Sequence, residues 1–238
     1  MKKLVLTALA ISGLSLSAFA QGTVQWSGVA NQFFGQTNGT VVSSYTGGGA
    51  TGGGSVGFTY GNTAVNNTAL GYQGYYYELL VSASGTVPTT FAGFSSWSDT
   101  GLMATNGAVS NGRIIQTADD GVANNTQATA NNWAPGATMN VILVGWSANL
   151  GNSWTTVLNE LQNWATQGMA NAYFGVSSMG TLASGTGNPG TIIFGSGTGQ
   201  INNTTSPMQM DLLAVPEPGT LALAALGGAS LLLFRRKK

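Results

Sequence analysis

The sequence predicts a mainly β fold, a β-sandwich of which a jelly roll is one form, with a single helix packed against it. Short runs rich in β-branched and aromatic residues recur along the chain, separated by segments rich in Gly, Asn and Ser. Two Asn-Gly pairs, at 38–39 and 111–112, supply the positive φ angles that a tight hairpin needs. The predicted strands cover residues 23–27, 40–45, 55–60, 75–81, 108–109, 113–115, 139–146, 191–194 and 208–214.

One segment departs from the two-residue period of a strand. Its apolar residues recur at the spacing of one helical face, which predicts an amphipathic helix near 153–166. Asn152 or Ser153 is placed to cap this helix, and Gly168 is placed to end it. The strand at 139–146 is apolar nearly throughout, which favours a strand covered on both faces. The apolar face of the helix consists of Trp154, Val157, Leu158, Leu161 and Trp164.

The first twenty residues have the layout of a secretory signal peptide. Two lysines precede an apolar run at 4–16, and the small residues Ala18 and Ala20 mark a cleavage site. The mature chain is then expected to begin at Gln21. Since the leader has no twin arginine, export by the Sec route is favoured. A retained membrane anchor is the alternative, although the apolar run is short for one.

Residues 21–214 are expected to form one exported domain, a length that suits a sizeable single core. The whole chain is only 6% charged, against about 25% for an ordinary globular protein. Within the domain a single arginine, Arg113, stands against six carboxylates, for a net charge of −5. Such a surface lacks the basic patch that nucleic acid requires, so nucleic acid is excluded as a partner. Arg113 is expected to form an ion pair with one of the acids.

The chain contains no cysteine and no histidine. An exported domain without cysteine has no disulfides, so packing and hydrogen bonding must stabilise it. The same absence excludes thiol and Ser-His-Asp nucleophiles and the common zinc and copper sites. Carboxylates therefore remain as the candidates for chemistry. The prediction for the whole chain is a protein without catalytic residues, metal or cofactor.

Three motifs are candidates for a catalytic, metal-binding or nucleotide-binding site. Glu78 with Asp99 or Glu160 could form the carboxylate pair of a glycosidase, although a solvated charge is the simpler interpretation of Glu160. The acidic turn at 119–121 carries oxygen ligands and a glycine, but lacks the spacing of a calcium loop. Residues 185–190 match GxGxxG, yet a predicted strand follows where a nucleotide motif needs a helix. This match falls in one of three low-complexity stretches, 47–54, 123–132 and 185–199, which are predicted to be loops.

Three consecutive tyrosines form the candidate glycan face of the domain. Tyr75, Tyr76 and Tyr77 occur in a predicted strand among amide-bearing residues, and aromatic rings stack on sugars. In a strand, Tyr75 and Tyr77 point to one side and Tyr76 to the other. At least one side is therefore expected to be buried in the core.

The last 24 residues, 215–238, form a tail with three parts. Val215, Pro216, Glu217 and Pro218 are expected to be extended, because each proline lacks an amide donor and restricts the residue before it. An uncharged apolar run to residue 234 follows and predicts a single membrane helix of about 24 Å, short of the roughly 30 Å hydrocarbon core. The basic terminus cannot cross the membrane and is expected to stay in the cytoplasm. It consists of Arg235, Arg236, Lys237 and Lys238.

This tail resembles the PEP-CTERM sorting signal of exported bacterial proteins. The Pro216-Glu217-Pro218 motif, the short apolar helix and the basic end occur in the same order and spacing. The resemblance implies an exosortase-type membrane protease as a partner, and an association with exopolysaccharide. An ordinary single-span anchor with a proline-containing stalk is the alternative.

Together these observations predict an exported, non-catalytic cell-surface or extracellular-matrix protein. It would pass through a single-span intermediate in the cytoplasmic membrane with its body outside, and then reach the cell surface or the medium. A glycan-binding module that uses the tyrosine-rich strand is the alternative class. A carbohydrate-active enzyme is the third.

Overall fold

The computed structural model of this protein describes residues 21–25, 35–43, 58–59, 74–106, 114–116, 127–187, 189–202 and 208–215. In these ranges the chain is mainly β, as predicted, with several sheets and few helices. The predicted signal helix at 1–20 and the membrane helix after residue 218 lie outside them. No helix in the described ranges has the length and apolar character needed to cross a membrane.

The largest sheet contains nine of the described strands. Its order is β3-β2-β14-β9-β8-β4-β5-β6, with β10 also paired to β8. All its pairs are antiparallel except β14 with β2. The strands are β2 (Gly35–Ser43), β3 (Phe58–Thr59), β4 (Tyr75–Ser82), β5 (Ser98–Asn106), β6 (Ile114–Gln116), β8 (Thr138–Ser147), β9 (Tyr173–Val176), β10 (Gly180–Ala183) and β14 (Met208–Leu213).

Two smaller sheets accompany the large one. The first has the order β11-β1-β7, in which β1 is antiparallel to β7 and parallel to β11. The second is the parallel pair of β12 and β13. These strands are β1 (Gly22–Gln25), β7 (Gln127–Ala130), β11 (Thr191–Ile192), β12 (Phe194–Gly195) and β13 (Ile201–Asn202).

The inter-sheet core is the hydrophobic cluster shared by the large sheet and the smaller ones. It joins Val24 of β1 and Ala128 of β7 to the odd-numbered residues of β4 and to Leu143 of β8. Two sheets that enclose one core are the defining feature of a sandwich, and this supports the predicted fold class. The jelly-roll form stays a prediction.

The helix-side core lies on the opposite face of the large sheet. There, helix α1 (Trp154–Gln162) and a 3-10 helix (Phe91–Ser96) cover Ile142, Val144 and Trp146 of β8. Strand β8 is thus buried on both faces, as its nearly continuous apolar sequence predicted.

The predicted helix is confirmed, with a break. Ser153 caps α1 by accepting a hydrogen bond from the Thr156 amide, and a short helix α2 (Trp164–Gln167) follows Asn163 and ends at Gly168. The predicted apolar face points to the sheet. Its residues Trp154, Val157 and Leu161 are buried, and Leu158 and Trp164 pack beside them half-buried.

The prediction of a hairpin turn at Asn38-Gly39 was wrong. Both residues lie inside β2, which continues through them. The register against β14 shifts there, because Thr37 is opposite Met210 while Val42 is opposite Leu212. Five residues on one strand thus match two on the other, so the Asn-Gly pair lies in a bulge. The second pair, at 111–112, lies outside the described residues, but the strands on either side, β5 and β6, do pair antiparallel.

Other corrections concern strands with little apolar sequence. The stretch 123–132 was predicted to be a loop, but it contains β7, in which small alanines face the inter-sheet core. The predicted strand at 191–194 is divided between β11 and β12, which belong to different sheets. Strands β5, β9, β10 and β13 carried no prediction. They are short or rich in Gly and Thr, and tertiary pairing outweighs their weak propensity.

Candidate functional site

The tyrosine-rich strand does not present three rings on one surface. Tyr75 and Tyr77 are buried in the inter-sheet core, while Tyr76 is half-buried on the other face, with its ring 6.3 Å from that of Trp146. Burial raises the pKa of Tyr77 well above its ordinary value. The expected burial of one side of this strand is thus confirmed, and Tyr76 is the one of the three tyrosines that is not buried. The glycan face itself stays a prediction.

Glu78 and Asp99 are brought together by an irregularity in β5. Glu78 is opposite Met103, but Leu80 is opposite Asp99, so two extra residues lie in β5 between these pairs. Gly101, at φ +72°, supplies the bend, and its amide donates to Asp99 Oδ1 at 2.6 Å. In a regular ladder Asp99 would be opposite a residue farther along β4. The bulge instead places it diagonally beside Glu78 on the same face of the sheet.

The Glu78 carboxyl is buried and neutral at pH 7. Its residue is 2% exposed, and its Oε2 atom has no hydrogen-bond partner in the part of the chain described. Burial, with the hydrogen bond to Asp99 and that residue's negative charge, raises the pKa of Glu78 to about 9, while the backbone N–H of Trp154 opposes this shift. The protonated carboxyl therefore donates to Asp99 and accepts from the first turn of α1.

Of the other charged candidates for chemistry, the structure describes only Glu160, which does not join this pair. Glu160 is half-exposed on α1. The acidic turn at 119–121 and Arg113 lie outside the described residues. Within the ranges described, no group of three or more Asp, Glu, His or Cys side chains is placed to hold a metal ion.

The GxGxxG match lies along β1. Gly185 and Thr23 exchange backbone hydrogen bonds of 2.8 and 3.0 Å. Strand β11 follows the match, where a nucleotide-binding motif would need a helix. The glycine at 190 lies against the backbone of Val24, which leaves no room for a Cβ atom. Gly185 and Gly190 therefore allow close approach of two backbone segments.

A groove of about 630 Å³ opens beside the end of strand β14. It is lined by residues of the 3-10 helix, of α1 and α2, and by Ala214 just after β14. No lining residue is charged. The sequence did not indicate this site, because it joins segments that are far apart in the chain. The lining residues are Phe91, Ala92, Leu161, Gln162, Trp164, Ala165 and Ala214.

Aromatic packing and hydrogen bonds hold the walls of this groove, which we call the exit groove. The Phe91 ring meets that of Phe174 edge-on at 5.7 Å. The Trp164 indole N–H donates to the Ala214 carbonyl oxygen at 2.7 Å, and the Leu213 amide donates to the Ala172 carbonyl at 2.8 Å. Strand β14 and the residue after it, Ala214, are thus held against the helices by hydrogen bonds.

The residue after this hydrogen-bonded position lies at the surface of the body. Val215 is 45% exposed, although it is a large hydrophobic residue. In the sequence, the Pro216-Glu217-Pro218 segment follows Val215 directly, and a β-rich body followed by such a segment has the layout of a protein with a C-terminal processing signal.

Comparison with known families identifies that signal. The model of the PEP-CTERM protein-sorting motif matches residues 214–237, so the chain carries this motif, and the predicted resemblance is confirmed. The motif indicates a protein that exosortase, a membrane protease, sorts to the cell surface through a membrane-anchored intermediate. No curated protein and no solved structure matches the chain significantly.

Proposed function

We propose that this protein is a non-catalytic component of the cell surface or extracellular matrix, delivered by exosortase and associated with exopolysaccharide. One observation carries the proposal. The sorting motif at 214–237 follows directly on the last strand of a folded, β-rich body. Whatever the body does, it therefore does after export.

The route of export follows from the two ends of the sequence. The leader at 1–20 directs the chain to the Sec pathway, and exosortase then meets an intermediate whose body lies outside the membrane. Arg235 to Lys238 remain in the cytoplasm, because each cation costs about 2.5 to 3.5 kcal/mol at the bilayer centre.

The proposed lack of catalytic activity is supported by the surroundings of Glu78 and Asp99, the carboxylate pair that the structure brings together. Glycosidases hold their two carboxyl groups about 5 to 9.5 Å apart, with the sugar or a water between them. Glu78 and Asp99 are instead in direct hydrogen-bond contact, and Glu78 is 2% exposed. A substrate cannot reach the buried Glu78 carboxyl, so we assign this pair a structural role.

An association with polysaccharide is supported by the uncharged polar surface. The outward side of α1 carries hydroxyl and amide groups, which hydrogen-bond to sugar hydroxyls without requiring charge. Its exposed residues are Thr155, Thr156, Asn159 and Gln162. Because Tyr75 and Tyr77 are buried, we favour this diffuse association over a glycan-binding module built on the tyrosine-rich strand.

Sorting is tested by replacing Pro216, Glu217 and Pro218 with alanine in the full chain. We expect the wild-type protein to lose its C-terminal peptide and to appear at the cell surface, while the triple variant keeps Lys238 and stays in the membrane fraction. Mass spectrometry of both chain ends after cell fractionation measures this. An exposed substitution in the body, Gln167→Ala, is the matched control. Identical ends and location for wild type and triple variant would contradict the proposal.

The polysaccharide association needs its own experiment. In cells that make no exopolysaccharide, we expect the processed protein to be released into the medium. A glycan array separates the alternatives, because selective binding that is lost in Tyr76→Ala would favour the glycan-binding module. Release of sugar from purified polysaccharide, lost in Glu78→Gln, would favour an enzyme.

A further inference from the structure

The exit groove is continuous with the sorting motif. Ala214 is both a wall of the groove and the first residue of the motif match. The hydrogen bond from the Trp164 indole to the Ala214 carbonyl holds this residue against the body. The motif therefore starts from a defined point on the surface instead of from a long linker.

The short connection limits where an enzyme that acts on the motif can sit. An extended chain spans at most about 3.6 Å per residue, so Pro216 lies within roughly 7 Å of Ala214 and Pro218 within roughly 14 Å. A specific protein interface covers about 800 Å² on each partner, a patch of roughly 16 Å radius. A protease bound at the motif is therefore within reach of the folded body around Ala214, where the exit groove lies.

The chemistry of the groove fits a protein surface better than a lipid surface. It is lined by aromatic and aliphatic side chains and one amide, with no charged residue. Aromatic pockets with a polar rim are typical anchors at protein interfaces. The body as a whole carries a net charge of −5 and one arginine, so anionic lipid headgroups would repel it.

We propose that the exit groove is a docking surface for exosortase, which the enzyme contacts while it acts on the adjacent motif. This inference rests on the proposed sorting function. The groove receives apolar side chains from the external surface of the protease, and it adds affinity that the short Pro-Glu-Pro motif does not supply.

The test places a charge in the groove without disturbing the core. Ala92 and Ala165 line the groove and are exposed, so Ala92→Glu and Ala165→Glu each put a carboxylate where the partner would sit. Ser95 and Gln167 are exposed on the same two helices but do not line the groove. Ser95→Glu and Gln167→Glu are therefore matched controls with the same change in charge.

The measurement is a pulse-chase of tail removal in cells that produce exosortase, with the full chain. We expect both groove variants to be processed at least fivefold more slowly than wild type, while both controls keep the wild-type rate. Thermal unfolding of the purified variants must match wild type, which shows that the slower processing does not come from misfolding.

Two results would overturn the docking proposal. One is wild-type processing of both groove variants. The other is flotation of the processed, tail-free protein with phosphatidylcholine vesicles that is lost in the groove variants, because this would identify the groove as a lipid-contact surface. Failure of the proposed sorting function can be distinguished from failure of the docking proposal, because the wild-type chain would then keep its tail in cells that produce exosortase.

Discussion

The buried Glu78 carboxyl should make the protein less stable as the pH rises. Its pKa is about 9 in the folded protein, against an ordinary value of 4.5. Between these values the folded state holds a proton that the unfolded state has released, so protons favour folding and stability falls with increasing pH. The contribution is fully present below pH 4.5 and is lost progressively as the pH approaches 9.

The size of this loss of stability follows from the pKa shift of Glu78. At about 1.36 kcal/mol per pH unit, Glu78 alone should lower the free energy of unfolding by about 3 to 4 kcal/mol between pH 5 and pH 8. Total stabilities are about 5 to 15 kcal/mol, so this one residue has a large share. Glu78→Gln removes the titration and keeps the shape of the side chain. Its amide donates to Asp99 in place of the protonated carboxyl.

The assay is urea unfolding of wild type and Glu78→Gln at several pH values from 5 to 8, with circular dichroism as the readout. The difference between the two proteins isolates Glu78 from other titrating groups. We expect the variant to become more stable relative to wild type by about 3 to 4 kcal/mol across this range. Glu160→Gln, a change at a half-exposed site on α1, is the control and should follow wild type. Parallel curves for wild type and Glu78→Gln would refute the reasoning.

Further predictions concern packing and the exit from the body. Leu161→Ala should destabilise by about 2 to 5 kcal/mol in urea unfolding, because Leu161 is buried under α1; a loss below about 1 kcal/mol would contradict its burial. Gly175→Ala should lower the melting temperature strongly, since the new Cβ would collide with the backbone of β14, whereas Gly187→Ala, with no atom within 4 Å, should change it little. Equal melting of these two variants would contradict that close approach. Trp164→Phe removes the donor to the Ala214 carbonyl and should lower the free energy of unfolding by about 1 kcal/mol. Hydrogen exchange should rise at residues 213–215, and unchanged exchange there would show that the hydrogen bond does not hold the exit.

Local sequence patterns predicted the elements that carry a strong period. The helix at 154–167 was found from its apolar face and its capping serine, and β4 and β8 from their aromatic and aliphatic runs. The sorting motif was likewise readable, because its function depends on a short contiguous stretch of prolines, apolar residues and cations. Such features are set by residues within a few positions of one another.

Features that depend on distant residues were not predictable in this way. The sequence left two possible partners for Glu78, Asp99 and Glu160, and it could not show that a bulge at Gly101 pairs Glu78 with Asp99. Strand β7 has almost no intrinsic preference to be a strand, and it forms because its alanines fit beside β1.

By itself, the sequence determined that the chain is β-rich, sparsely charged and without thiol or imidazole chemistry, and that it ends in a sorting motif. Only the tertiary structure decided which of the three tyrosines are buried, which carboxyl keeps its proton, and where the exit groove forms. The reason is physical. Composition and local periodicity act along the chain, whereas burial, raised pKa values and grooves arise when strands far apart in sequence pair and exclude water.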